Sequence, residues 1–368
     1  MMLSNLTFAA VVMAPPDPLG YPVPLVILQG LSYLTLTLHF VAMAFTLGSA
    51  FLLLWVKLKK GEHTETMEKY LSHALPLGFS YLVTLGIPPL LFLQVVYGQQ
   101  FYASSVIIGG HWILVVPLLI LAYGLFYLNK FAPGKWPRGQ WALIGLALLS
   151  MLGIGFLYVN NITLSQTPER WLELYAANPG GGTLNRGEPT RFARLLLFTA
   201  PALCGAGLGL LFAGIYQARS GRGSAAAFKK LAWKACLLGL LLQLAGGAWL
   251  LASIPEAITA AFVAGPGKLF AFAGAGLAVL SVLAVFWAMG LKSYLGAVVA
   301  ASVWTLSLAS IVILRDMLRM EYLRPYFDPA AVPVNPQWGM FFMFVGTLVA
   351  GLGLIVVLTT VVVRNVSR

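Results

Sequence analysis

The chain has 368 residues, of which 60% are hydrophobic and only 9% are charged, and its mean hydropathy is +0.87. Soluble domains carry about 25% charged residues, so this composition excludes an ordinary soluble protein. It predicts an all-α, polytopic membrane helix bundle that forms a single integral membrane domain over residues 1–368. The two cysteines, Cys204 and Cys236, lie in separate apolar runs without a CxxC or CxxCH pattern, which leaves no motif for covalent haem, zinc or an iron–sulfur cluster.

Nine apolar segments are long enough to cross a bilayer, which requires about 20 helical residues. In chain order they cover approximately 24–56, 74–97, 105–128, 140–160, 193–216, 232–253, 268–290, 294–314 and 339–363. Basic residues are divided unequally between the two ends of these segments. Fifteen of the 23 basic residues, but only three of the 11 acidic residues, fall in the connections and the C-terminus on one side.

This asymmetry predicts the orientation, because short cytoplasmic loops of membrane proteins are enriched in lysine and arginine. The basic side is therefore expected to be cytoplasmic, with the N-terminus outside and the C-terminus inside. The net charge of +12 is then explained by topology, and we expect no nucleic acid partner.

Two long loops lie on the predicted outer face, over residues 160–194 and 315–338. In the first, TPERWLELYAANPGGG predicts a short helix that Thr167 caps and the glycines at 180–182 end. The second loop is expected to begin as a helical extension and to finish in proline-rich extended chain. This elaboration indicates that partners or substrates meet the protein at the outer face; ordinary variation in loop length is the alternative.

Two histidines lie within apolar segments. His39, in LTLHFVAMAF, belongs to the first segment, and His111 belongs to the third. An ionisable group in a spanning segment indicates a functional site, and imidazole is a haem ligand. If the helices touch, both imidazoles could bind one haem iron. The alternative for His39 is a core histidine that is hydrogen-bonded to the hydroxyl of Ser80, Thr84 or Tyr81.

Further candidates flank the second segment. His73 begins it at the inner edge, where an interfacial role is favoured over cofactor binding. The outer end of the segment is polar and aromatic, so it could bind a quinone head group or form an aromatic belt. The residues concerned are Gln94, Tyr97, Gln99, Gln100 and Tyr102.

Acidic residues are absent from the centres of the predicted spans, which argues against a proton-coupled transporter and against dioxygen reduction. The acids cluster at the outer face instead, where Asp316 and Glu321 are candidate proton acceptors for a quinol. Arg315 and Arg319 are four residues apart and share a helical face. They could bind haem propionates or an anionic partner, or they could form an ion-paired helix end.

The nine spans, the first-span histidine and the long loop with NNITLSQTPERW and EPTRFARLLLF resemble subunit I of cytochrome bd-type quinol oxidases. The resemblance covers about the first two hundred residues. It matches His39 to the first-span histidine, which in that family ligates a haem. The family's membrane glutamates, its histidine in the fifth span and its Gly-Arg-Gln-Pro-Trp motif have no counterpart, so a divergent, non-oxidase relative in the bacterial cytoplasmic membrane is implied.

We therefore expect a membrane subunit of a respiratory complex that exchanges electrons between the quinone pool and a periplasmic partner. The resemblance implies a b-type haem held by His39, for which His111 is the candidate second ligand, with quinol as substrate. Expected partners are membrane lipids and other subunits, including a multihaem cytochrome c. The alternatives are a haem-free quinone-binding anchor, a transporter or channel, and a structural assembly subunit.

Overall fold

The computed structural model describes residues 18–59, 63–131, 139–291 and 293–366. Within these ranges the regular structure is helical, apart from one isolated parallel bridge between Tyr21 and Val334. Nine helical segments of this part of the chain are long and apolar enough to cross a membrane. The predicted nine-span, all-α membrane bundle is thereby confirmed. Some basic residues used for the topology prediction lie outside the described ranges, namely Lys60, Lys135, Arg138, Lys292 and Arg368.

The helices pair into spans in two places. Helices α3 and α4 together form the segment Gly109–Phe131, and α7 and α8 form Arg191–Arg219. In chain order the helices are α1 (Leu25–Leu58), α2 (Thr64–Ile107), α3 (Gly109–Trp112), α4 (Val115–Phe131), α5 (Gln140–Ser165), α6 (Trp171–Ala177), α7 (Arg191–Thr199), α8 (Pro201–Arg219), α9 (Ala225–Ser253), α10 (Glu256–Ala264), α11 (Gly267–Met289), α12 (Tyr294–Leu323) and α13 (Trp338–Val366).

Helix α2 is broken by a kink. Its 44 residues would span about 66 Å as a straight helix, roughly twice the hydrocarbon thickness of a bilayer. At Tyr97 the backbone leaves the helical region, with φ −124° and ψ 35°, which is where the predicted second span ends. The predicted start of the third span at 105 is wrong, because α2 continues to Ile107. The break coincides with the polar and aromatic residues that end the predicted second span, whereas the apolar run at 106–108 hides the end of α2 at Ile107.

The core is built on close contact between α1 and α8. A Cβ atom added at Gly48 would lie 1.8 Å from the carbonyl oxygen of Ala202, and one added at Gly205 would lie 3.0 Å from Ala44. Helices in a membrane associate through this kind of close packing, since lipid and helix surfaces are equally apolar. Helix α1 therefore has α8 on one side, and it packs along α2 on another.

The two ends of the bundle differ in chemistry. At the lysine end, Lys57 of α1 forms an ion pair with Glu68 of α2 at 3.1 Å. At the opposite end, which we call the loop end, the start of α1 meets the end of α12 and the chain that follows it. There the Tyr21 amide donates to the Pro333 carbonyl at 2.8 Å. Burial, with a smaller contribution from Asp328, raises the pKa of the Tyr21 phenol to about 12.

The loop over residues 160–194 folds against the loop end. The short helix predicted there is present as a 3₁₀ turn at Pro168–Arg170 followed by α6. The predicted cap is wrong, because the Thr167 hydroxyl donates back to the Thr163 carbonyl at 3.2 Å rather than accepting from the new helix. Gly181, with φ +74°, accepts from the Gly110 amide at 2.9 Å. A Cβ at Gly181 would lie 2.7 Å from that nitrogen, so this contact needs glycine.

The loop over residues 315–338 begins, as predicted, by continuing a helix. Helix α12 runs on to Leu323, and a proline-rich extended segment with a 3₁₀ turn at Pro329–Ala331 follows. Helix α13 then lies on the outside of the bundle. It contacts α2 through a hydrogen bond of 2.9 Å between Tyr81 and Thr359, and through the rings of Phe92 and Phe344.

Candidate functional site

His39 lies in the middle of α1 and faces α2. Its Nδ1 atom is 3.1 Å from the Leu82 carbonyl oxygen, so its partner is a backbone carbonyl and not one of the predicted hydroxyls. The hydroxyl of Ser80 is bonded to Tyr123, and that of Tyr81 to Thr359. A hydrogen bond from Nδ1 to a carbonyl leaves Nε2 with the free lone pair, which is the tautomer that a metal-binding imidazole uses.

Gly86 makes room for this imidazole. A Cβ atom at Gly86 would lie 3.0 Å from Cε1 and 3.1 Å from Nδ1 of His39. The Gly86→Ala variant is therefore expected to displace the ring and to weaken its bond to Leu82, at a cost of about 1–3 kcal/mol. Thermal unfolding of the purified protein measures this loss.

Gly98→Ala is the matched control on the same helix, because its nearest neighbouring atom lies 3.9 Å from the added Cβ. Equal unfolding temperatures for the two variants would show that His39 is not packed as described.

The other two candidate histidines lie elsewhere. His111 is in α3, beyond the end of α2 at Ile107. His39 instead contacts Leu82, which lies 25 residues before that end. A straight helix of that length spans on the order of 35 Å, and the kink at Tyr97 shortens this distance. His73 is exposed near the start of α2, and its Nδ1 lies 2.7 Å from the Lys69 carbonyl. The structure therefore brings none of these imidazoles to a common iron.

The packing beside His39 does not suit a haem. Its tautomer fits an axial ligand, but its ring rests on Gly86 and borders neither of the two recesses described in this bundle. The recess nearest to it along α1 is apolar and lies on the Phe40 and Met43 side.

A buried carboxylate lies at the loop end. Asp316 of α12 is only 6% exposed and accepts two hydrogen bonds, from Tyr33 Oη at 2.8 Å and from Arg319 Nη1 at 3.1 Å. The Arg319 guanidinium also lies over the Tyr97 ring, with Cζ 4.5 Å from the ring centroid. Asp316, a predicted proton acceptor of the outer face, is thus enclosed by side chains of three spanning helices, α1, α2 and α12.

A recess adjoins this carboxylate. Its volume is about 220 Å³ including its open mouth, and its enclosed part has room for about one water, about 10 Å³. One wall is aromatic and apolar, and the other is polar. The lining residues are Gln29, Ser32, Phe92, Leu93, Val96, Tyr97, Asp316 and Arg319.

The remaining predicted residues flank this recess. Glu321 is not among the residues that line it, and its carboxylate is 3.3 Å from the exposed guanidinium of Arg324. Arg315 lies close enough to Arg319 and Asp316 to interact electrostatically with both. Of the predicted polar end of α2, Tyr97 and Gln100 are buried, whereas Tyr102 is exposed.

Three polar residues of this site were not predicted from the sequence. They are Gln29, Ser32 and Tyr33, which lie close together near the start of the first apolar segment. Their spacing of three and four residues places them on one helical face, and that polar face at the end of an apolar helix was the available signal.

Among the residues that the structure describes, no group of three His, Cys, Asp or Glu side chains is placed to hold a metal ion. A scan of family models found no match for the chain, and a search of curated proteins found none.

Proposed function

We propose that this chain is the quinone-binding membrane subunit of a respiratory electron-transfer complex. The observation that carries the proposal is the buried carboxylate of Asp316 at the wall of a half-aromatic recess. In this proposal the basic lysine end faces the cytoplasm of a bacterium, and the loop end faces the periplasm. The complex exchanges electrons between the quinone pool and a periplasmic partner, a multihaem cytochrome c.

The walls of the recess carry the chemical groups that a quinol head group needs, and the ring itself would lie in the open mouth, because the enclosed part holds only about one water. Phe92 and Tyr97 supply aromatic surface for the ring. The Asp316 carboxylate can accept a hydrogen bond and a proton from a quinol hydroxyl, while Tyr33 and Arg319 hold it in place. A quinol that becomes a quinone releases two protons and two electrons. The protons leave at the loop end, and the electrons pass to the redox group of the partner chain.

A b-type haem would supply a one-electron carrier inside the membrane. Because His39 lines neither of the two recesses described above, the proposed route uses no haem in this chain. His39 is then a core histidine that fixes α1 against the Leu82 carbonyl of α2.

The proposal is tested by filling the recess. Ser32→Leu places an apolar side chain in it, so the KM for quinol is expected to rise about tenfold, which corresponds to about 1.4 kcal/mol of lost binding. The assay is quinol-dependent reduction of the partner cytochrome in membranes that contain the whole complex.

Gly30→Leu is the control, because Gly30 is on the same helix and nothing lies within 4 Å of its added Cβ. A Ser32→Leu variant with the same KM as Gly30→Leu would remove the recess as the quinone site.

A proton-coupled transporter is the second candidate, because Asp316 is a buried carboxylate in a helix of spanning length. Reconstituted into liposomes without a redox partner, a transporter would carry a solute together with protons, and Asp316→Asn would stop that flux. The quinone-binding subunit is expected to show no such flux.

A further inference from the structure

Three arginines converge at the loop end, beside the recess. Arg194 of α7 and Arg319 of α12 are each only 3% exposed, and Arg315 lies one turn from Arg319 on α12. Each of the three guanidinium groups is close enough to the other two to interact electrostatically with them. Like charges buried together repel, so this arrangement needs compensating negative charge.

The carboxylates nearby supply only part of that charge. Asp316 accepts from one nitrogen of Arg319. Glu188 interacts electrostatically with Arg194, but its Oε1 accepts from the hydroxyl of Thr190 at 2.6 Å and from the amide of the same residue. Three guanidinium groups therefore face two carboxylates.

Several donors of this cluster have no acceptor. The Nε atom of Arg315 and both the Nε and Nη2 atoms of Arg319 are buried without a hydrogen-bond partner among the described residues. The Nε of Arg194, in contrast, donates to the Thr190 hydroxyl at 2.8 Å. Buried polar groups are nearly always hydrogen-bonded, so three such donors in one cluster indicate a missing acceptor.

The depth of the cluster suggests which acceptor this is. Helix α12 begins at Tyr294 and has 30 residues, whereas about 20 residues cross the hydrocarbon core. Arg315 and Arg319 lie in the last third of this helix, toward the loop end, where the phosphate groups of a surrounding bilayer would be nearest. Guanidinium groups bind phosphate oxygens through paired, charge-assisted hydrogen bonds.

We propose that Arg194, Arg315 and Arg319 bind one phosphate-class oxyanion at the loop end, either the phosphate of a lipid head group or free phosphate. The bound oxygens accept from the unpaired nitrogens of Arg315 and Arg319, and the negative charge balances the cluster. This site shares Arg319 with the recess, but phosphate binding to it does not depend on the proposed quinone chemistry.

The test uses the full chain, purified and delipidated in a sugar detergent that contains no phosphate. Inorganic phosphate, or a short-chain phosphatidylglycerol, is titrated while thermal unfolding is followed. A rise in the unfolding temperature with both probes, or with only one of them, supports the site and identifies the source of the phosphate group. No rise with either probe, or a rise with acetate but not with phosphate, would overturn it.

Arg315→Gln is expected to raise the half-saturating phosphate concentration about tenfold or more, because it removes a charge-assisted donor. Arg324→Gln is the matched control on the helix that carries Arg315, since the Arg324 side chain is 73% exposed and paired with Glu321. An unchanged titration in Arg315→Gln would overturn the assignment. If that variant does not fold, Arg315→Lys keeps the charge without the planar fork and is expected to bind more weakly than the wild type; unchanged binding would overturn the assignment.

Discussion

Replacing Asp316 by asparagine is expected to slow quinol oxidation by about a hundredfold, the scale of removing a positioned proton acceptor. Asparagine has the same shape and can still accept a hydrogen bond from Tyr33, but it cannot take up the proton. The variant also leaves Arg319 without its paired charge, which is expected to cost about 3–5 kcal/mol of stability. Quinol-dependent reduction of the partner cytochrome, normalised to the amount of folded protein, measures the functional part.

Glu321→Gln is the matched control for this experiment. Glu321 lies on the same helix, was the second candidate proton acceptor, and pairs with the exposed Arg324 rather than facing the recess. Its variant is expected to keep its activity within about twofold, since exposed ion pairs contribute little. A larger loss in Glu321→Gln than in Asp316→Asn would assign the proton acceptor to Glu321.

Gly48→Ala is expected to cause the largest purely structural defect. The added Cβ would lie 1.8 Å from the Ala202 carbonyl oxygen and 2.9 Å from the Ala206 Cβ. Neither backbone can yield locally, so α1 and α8 must move apart at the centre of the core. We expect a loss of about 3 kcal/mol, the upper end for overpacking, measured as a lower unfolding temperature and reduced accumulation in membranes.

Gly30→Ala is the control on the same helix, because its added Cβ meets nothing within 4 Å. It is expected to be neutral or slightly stabilising, as alanine favours helix more than glycine does. Equal behaviour of Gly30→Ala and Gly48→Ala would contradict the close packing of α1 on α8.

The fold could be predicted from sequence because each span needs its own run of apolar residues, and the nine runs are separate. The errors arose where hydropathy carries no information about the backbone. The predicted boundary at 105 was wrong because α2 continues to Ile107 within an apolar stretch, where hydropathy does not change. The predicted cap was wrong because Thr167 bonds backward into the preceding turn. Such local choices depend on tertiary contacts that composition does not show.

The site was less predictable, for a similar reason. His39 was conspicuous as an ionisable residue within an apolar run, yet the structure gives it a backbone carbonyl as partner. Asp316 was read as an outer-face acid because it lies at the end of an apolar segment. Its burial depends on contact with Tyr33, which is 283 positions away in the chain, and a single sequence contains no signal for that pairing.

The proposed quinone site is tested most directly by labelling the wild-type complex in membranes with a photoreactive quinone and mapping the modified peptides. Label is expected in residues 29–33 of α1 and 92–97 of α2, because these segments line the recess. It should be displaced by unlabelled quinol and lost in Ser32→Leu but not in Gly30→Leu. Label confined to other helices, or label in these segments that excess quinol does not displace, would contradict quinone binding beside Asp316.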